Sequence, residues 1–302
     1  MSSKLGLHIN FATEPEEMLA FVEKAKPAIV KVLNQGDVEF ARRARELSPQ
    51  TLVMGRKYVE EQPLDDPEGR AEQMAFRILG SSTAREHAVT VWEGYNEINT
   101  NDWPNITDLA RFDLRLARVL HEEGLEYVAG SFGVGHPTDV RFTRFAEVRE
   151  AFAEADYIGV HEYFAPRLDD ERNFDEDGHG WWLLRYRLWY PDLPPECQKP
   201  LLITECGIDS GAPHFDPGAQ GGWRSFATAE DYVAQLAWYD GKLREDEYVK
   251  GAAIFCWGTL DPTWDSYDLK GEAAERLKEY IVSEREEEPL FRLPEAFQHS
   301  LP

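Results

Sequence analysis

Several common kinds of protein are excluded by what this 302-residue chain has little of. It holds only 3 cysteines, Cys197, Cys206 and Cys256, and no C-x-x-C spacing, so neither a disulfide framework nor a cysteine-built zinc site is expected. The three read as reduced, packed thiols. No apolar run reaches the roughly 18 residues that would suggest a membrane span, and the opening MSSKLGLHIN lacks the apolar core of a signal peptide. The sequence as it stands therefore predicts a cytoplasmic protein, or a secreted one if a signal has been removed. Positive charge is scarce, with 32 Lys and Arg against 56 Asp and Glu and a net charge of −24. That balance repels phosphate backbones and anionic lipid, which leaves neither nucleic acid nor membrane as an expected partner. A nucleotide-binding turn is missing too, because GSFGVG does not have the G-x-G-x-x-G spacing.

What is present is a globular composition, 42% hydrophobic and 12% aromatic, and a repeated alternation of short β-branched runs with amphipathic helical patterns. LGLHIN (5–10), AIVKVLN (28–34), TLVMGRKYV (51–59), AVTVWEGYNE (88–97), EYVAGSFGVG (126–135), YIGVHEYF (157–164), LLITECGID (201–209) and GAAIFCWGT (251–259) are the eight strand-like runs. A helical pattern follows each, including WWLLRYRLWYPDL after the sixth. Eight such units predict a (β/α)8 TIM barrel over residues 1–283, with residues 284–302 as a short C-terminal extension. In this fold chemistry sits at the C-terminal ends of strands. Polar residues collect there: His8 and Asn10 on the first strand, Arg56 and Lys57 on the third, Asn96 and Glu97 on the fourth, His161 and Tyr163 on the sixth, Glu205 on the seventh.

Glu97 and Glu205 would face each other across the barrel mouth. A carboxylate pair is what glycoside cleavage requires, one group protonating the leaving oxygen while the other attacks the anomeric carbon. Taken singly, each could as well end its strand in solvent or pair with an arginine. The two strand ends together resemble a known group. WEGYNEIN followed by NDWP is similar to the W-E-x-x-N-E-P-N motif of the clan A glycoside hydrolases, retaining (β/α)8 glycosidases, and LLITECG resembles their seventh-strand nucleophile segment. The resemblance implies Glu97 as acid/base and Glu205 as nucleophile. It also implies that Asn96 contacts the sugar 2-hydroxyl, that His161 and Tyr163 match the sixth-strand His-x-Tyr, and that Trp257 is the eighth-strand aromatic platform. Ile98 stands where proline commonly follows the acid/base. Arg56 ends the third strand, whereas a comparable arginine lies on the second strand in some members.

The chemistry asks for two unlike glutamates. Glu97 needs a raised pKa, and Glu205 must stay ionised, which Arg56 and a Tyr163 hydroxyl could arrange. Glu93, one pleat deeper than the pair, needs a partner, for which Arg56 is the candidate. Cys206 alternates away from Glu205 and reads as packing. No metal is expected: His8, His136, His161, His179 and Glu205 show neither H-x-H on the first strand nor H-E-x-x-H anywhere. No cofactor is expected either. The loops SGAPHFDPGAQGGWRSF and TLDPTWDSYDL carry His214, Phe215, Trp223, Arg224, Trp264 and Tyr267, of which Trp223 and Trp264 are candidate sugar-stacking residues. Trp181, Trp182, Trp189 and Tyr190 are expected to cover the outside of the barrel. The whole reading is a retaining, endo-acting hydrolase of β-linked oligo- or polysaccharides. The alternatives are an exo-acting β-glycosidase, a non-catalytic carbohydrate-binding barrel, or a barrel with other chemistry.

Overall fold

Alternation sets this architecture, because each strand must present one row of side chains to the barrel interior and the other to the surrounding helices. The computed structural model describes residues 2–33, 38–210 and 221–286. Its strands are β1 (Leu5–Ile9), β2 (Ile29–Leu33), β3 (Leu52–Arg56), β4 (Val91–Glu93), β5 (Glu126–Phe132), β6 (Tyr157–Tyr163), β7 (Leu201–Gly207) and β8 (Val249–Trp257). They pair in sequence order, all parallel, and close through β1 and β8 into one barrel. The predicted (β/α)8 fold is thus present, with β3 and β4 four and seven residues shorter than their apolar runs. Asn34 and residues 287–302, most of the predicted extension, lie outside the described residues.

The helices are α1 (Pro15–Ala25), α2 (Val38–Leu47), α3 (Pro67–Leu79), α4 (Ser82–Arg85), α5 (Trp103–Glu122), α6 (Ala146–Glu154), α7 (Ala229–Arg244) and α8 (Glu272–Glu286). Their boundaries follow capping chemistry. Asp66 accepts from the Gly69 amide ahead of Pro67, and Thr228 accepts from Asp231, which satisfies first-turn donors that no helical carbonyl reaches. On α1 the buried residues Met18, Leu19, Phe21, Val22 and Ala25 form one stripe turned to the strands. No helix among the described residues is long and apolar enough to cross a membrane.

The connection after β6 differs from expectation. WWLLRYRLWYPDL forms short 3-10 turns, Arg185–Leu188 and Tyr190–Asp192, instead of a helix. The Asn173 side chain takes the Trp182 and Leu183 amides at 3.2 and 3.5 Å, Leu184 is left-handed at φ 57, and Pro191 and Pro194 deny a longer helix its donors. Trp189 and Tyr190 are nonetheless buried, Tyr190 stacked on Tyr248 at 4.0 Å. Trp181 stays half exposed.

The barrel interior is layered. Ile29, Met54, Val91, Val128, Leu202 and Ala253 make a closed apolar plug. Two residues further along three of those strands the inward positions become Lys31, Arg56 and Glu93, all buried. An apolar floor under a charged layer fixes where the site begins.

Candidate active site

Glu205 is the most heavily held carboxylate in the charged layer. Its Oε1 lies 3.0 Å from Lys31 Nζ, 3.2 Å from Arg56 Nη1 and 3.7 Å from His8 Nε2. Its Oε2 accepts the Tyr163 hydroxyl at 3.0 Å and lies 3.7 Å from His161 Nδ1. Burial alone would push its carboxyl up, but His161, Lys31, Arg56 and His8 outweigh burial and hold it well below the usual range. Glu205 is therefore ionised at neutral pH. A one-residue slip in the β6–β7 ladder sets it beside His161.

Glu97 lies beyond the end of β4, left-handed at φ 51, and its Oε1 is hydrogen-bonded to His161 Nδ1 at 2.8 Å. Its side chain is 41% exposed against 8% for Glu205. Water and a leaving group can reach Glu97, while Glu205 is enclosed. The raised pKa expected for Glu97 is not what the geometry produces. Burial and the charge of Glu205 do push it up, but the hydrogen bond and charge of His161 pull harder and hold it somewhat below its ordinary value. Both carboxyls are thus held below their ordinary values, Glu205 by His161, Lys31, Arg56 and His8, and Glu97 chiefly by His161.

Glu93 is fully buried, as a residue deep in the barrel must be, and it is paired. Lys31 Nζ lies 2.5 Å from its Oε1, the Ser131 hydroxyl donates to its Oε2 at 3.1 Å, and the expected Arg56 is a third, longer contact at 3.7 Å. Two cations, Lys31 and Arg56, thus face two carboxylates, Glu93 and Glu205, inside the barrel. Glu93, His161 and Glu205 also offer ligand atoms within 4.8 Å of one another. The Lys31 ammonium already lies against both glutamates of that cluster and supplies the countercharge a cation would bring.

Above this layer opens a cleft of about 620 Å3 whose lining includes Asn10, Arg56, Asn96, Glu97, Tyr163 and Glu205. Aromatic side chains border it: Phe11, Tyr58, Phe255, Trp264 and Tyr267. Asn10 and Asn96 line the cleft, and their buried side-chain oxygens have no hydrogen-bond partner among the described residues.

The structure brings Arg56, Asn96, Glu97, His161, Tyr163, Glu205 and Trp264 together and leaves two expected residues elsewhere. Trp257 is 1% exposed and packs edge-on against Phe21 of α1 at 5.7 Å. The β1–β8 ladder pairs His8 with Phe255 but Ile9 with Trp257, a slip of one residue that turns Trp257 outward. Phe255 is the β8 aromatic that reaches the cleft. Trp223 is 2% exposed, stacked on Tyr232 at 4.9 Å, and donates its indole N–H to the Tyr267 carbonyl; it supports the loop that carries Tyr267. His214 and Phe215 lie outside the described residues. Cys206 is buried on the far side of β7, its thiol pushed up by burial, as its packing role requires.

Sequence reasoning missed Lys31, Phe11, Tyr58, Phe255 and the Tyr267–Asp209 pair, whose hydroxyl-to-carboxylate bond is 2.6 Å. Lys31 had a signal: a lone lysine inside the run IVKVL, two residues from an inward isoleucine, must also face inward.

No protein-family model matches this sequence, and no curated protein matches it. Solved structures do. A GH128 (subgroup I) endo-beta-1,3-glucanase from Amycolatopsis mediterranei, in complex with laminaritriose, superposes with a TM-score of 0.53 at 13% identity over 92% of this chain and 99% of that one. A GH128 (subgroup II) endo-beta-1,3-glucanase from Sorangium cellulosum gives 0.54 at 19% identity over 93% and 98%. The β-D-glucuronidase of Dictyoglomus thermophilum gives 0.60 at 13% identity over 93% of this chain but 50% of that one. What the chain shares with these glycosidases is the fold, a (β/α)8 barrel. The match takes in nearly the full length of the two glucanase chains.

Proposed function

We propose that this protein is a retaining, endo-acting glycoside hydrolase of β-glucan, with Glu97 as acid/base and Glu205 as nucleophile. One observation carries the reading: a single nitrogen, His161 Nδ1, lies 2.8 Å from an oxygen of Glu97 and 3.7 Å from an oxygen of Glu205. The two oxygens can be no further apart than those distances laid end to end. That limit on the two facing oxygens accommodates the about 5–5.5 Å of a retaining pair.

The proposed reaction uses the site as built. Glu97 gives its proton to the glycosidic oxygen while a Glu205 oxygen forms a bond to the anomeric carbon, and the C1–O bond breaks with its electron pair leaving on the protonated alcohol. Lys31, Arg56 and Tyr163 keep Glu205 ionised and aimed before the step. Glu97, now a carboxylate, takes a proton from water, whose oxygen attacks C1 and returns Glu205 to its starting charge. Asn96 is suited to the sugar 2-hydroxyl, a contact that tightens as the transition state forms.

The glucan assignment rests on the two endo-beta-1,3-glucanase neighbours and on the cleft's chemistry. Aromatic faces along its border suit the apolar faces of glucose rings. Arg56, the cation in the lining, is already engaged by Glu205 and Glu93, which disfavours a uronide. The test is product release from β-1,3-glucan, mannan, xylan and aryl β-glucosides and β-glucuronides by wild type, Glu97→Gln and Glu205→Gln, with the anomeric configuration followed by NMR. Glucan cleavage with retention, lost in both variants, supports the proposal. Cleavage of the glucuronide alone, or inversion, overturns it.

A further inference from the structure

The Asn96–Glu97 turn lies past the last ladder residue of β4, Glu93, so on the β3 side its backbone has no neighbouring strand to hold it. Gln62, on the loop between β3 and α3, takes that place. Its Nε2 donates to the Asn96 carbonyl at 3.0 Å and its Oε1 accepts the Asn96 amide at 2.5 Å. One carboxamide thus makes the two-bond exchange that a paired residue makes in an antiparallel ladder.

The next residue is the one that needs holding. Glu97 is left-handed at φ 51, a conformation unfavourable for a residue with a side chain, and its amide donates to the Ser131 carbonyl at 3.1 Å. Gly133 backs it so closely that a Cβ there would stand 3.3 Å from the Glu97 Cβ. The turn is therefore fixed by Ser131 on its far side and by Gln62 on its near side. The Gln62 loop is itself anchored where α3 starts: Arg70 holds Asp65 with two bonds of 3.0 and 3.2 Å, and Asp66 caps the helix.

We propose that Gln62 is a positioning residue for the acid/base: it fixes the Asn96 peptide, and through it the direction of the Glu97 carboxyl, without reaching the scissile bond. Gln62 is half-buried and is not among the residues that line the cleft. The inference rests on the reading of Glu97 as acid/base, and the consequence is specific to proton transfer. A Glu97 carboxyl out of line by even an ångström slows a step that needs its proton, by on the order of a hundredfold, and leaves a step that does not need it nearly untouched.

The experiment measures kcat and KM for a series of aryl β-laminaribiosides, from dinitrophenyl to phenyl leaving groups, with and without sodium azide. It compares wild type, Glu97→Ala, Gln62→Leu and the isosteric Gln62→Glu, which keeps one bond and sets a carboxylate against the Asn96 carbonyl. Gln62→Glu carries the test should Gln62→Leu fail to fold. Expected is a kcat loss in the Gln62 variants of about tenfold or more on the phenyl glycoside, little loss on the dinitrophenyl glycoside beyond what azide restores, and KM within about twofold. A loss equal across leaving groups, or one confined to KM, overturns the proposal for Gln62 while a steep Glu97→Ala series leaves the acid/base reading standing. A flat Glu97→Ala series overturns both.

Discussion

Lys31 Nζ lies 2.5 Å from Glu93 Oε1 inside the barrel, and neither side chain is exposed to solvent. The same ammonium contacts Glu205 at 3.0 Å, so the carboxylate proposed as nucleophile is tied to the barrel interior through a buried ion pair. A buried pair of this kind adds little net stability over apolar residues, but breaking it leaves an uncompensated charge. Its use here is to set the direction and ionisation of Glu205.

Replacing Lys31 by methionine should therefore cost more than a core truncation of the same size. Glu93 and Glu205 would lose the ammonium that both contact, and the expected loss is about 3–5 kcal/mol of unfolding free energy, read by urea denaturation at neutral pH. Adding Glu93→Leu to Lys31→Met should restore much of that stability without restoring hydrolysis. Equal stability of the single variant and wild type would show that the pair is dispensable.

His161 governs the other glutamate. Its bond and charge hold the Glu97 carboxyl below its ordinary value against burial. A general acid works only while protonated, so activity falls as pH rises through its pKa. Removing the group that depresses that pKa must move the alkaline limb of kcat/KM to higher pH. His161→Asn is expected to show this shift along with a lower maximum. An alkaline limb that stays in place, measured on a phenyl glycoside, would mean that Glu97 is not the group titrating there.

The two tryptophans of the eighth unit separate packing from binding. Trp257→Ala empties a filled position against Phe21 and should lose about 3–5 kcal/mol of stability, with KM unchanged in the surviving folded enzyme. Trp264 is 42% exposed and touches Phe255 and Tyr267 at the cleft. Trp264→Ala should leave Tm nearly unaltered and raise KM for an oligosaccharide on the order of tenfold, the value of one lost aromatic contact of about 1–1.5 kcal/mol. Calorimetry and steady-state kinetics on the two variants decide it, and the reverse pattern would place Trp257 in the cleft.

The architecture was legible in the sequence because its two signals are local. Apolar β-branched runs and amphipathic stripes recur eight times, and polar residues end the strands where the barrel opens. Misreadings came from events that leave no local mark. Trp257 sits where alternation from Phe255 would turn it inward, and only the ladder slip at Cys256 shows that it faces α1. Trp223 looks like a cleft wall because its loop is rich in glycine, yet Tyr232, nine residues further on at the start of α7, takes its face. The helix expected after β6 has the right aromatic spacing but is undone by a side chain, Asn173, that competes for its amides. Lys31 was visible and was passed over, since one lysine in an apolar run reads as a snorkelling surface residue unless its register is counted.

One titration lies outside the cleft. Glu162, the neighbour of His161 on β6, turns outward, is fully buried, and accepts a hydrogen bond from Tyr239 of α7. Burial raises its carboxyl to about 8, outweighing the Tyr239 hydroxyl, the Leu184 amide and Arg187, with Asp246 adding to the rise. The unfolded group titrates near 4.5, so the folded state binds the extra proton between those limits. Stability from this group is complete below 4.5 and is lost as pH climbs to about 8. Glu162→Gln keeps the acceptor for Tyr239 and cannot ionise, and it should flatten the fall in unfolding free energy over that window by up to a few kcal/mol. Asp113, raised to about 7 by burial despite its bonds from Tyr127 and Gly130, has the same sign and leaves a residual slope. Urea titrations of wild type and Glu162→Gln across the window test the assignment: parallel curves would mean that Glu162 is not what makes the fold prefer acid.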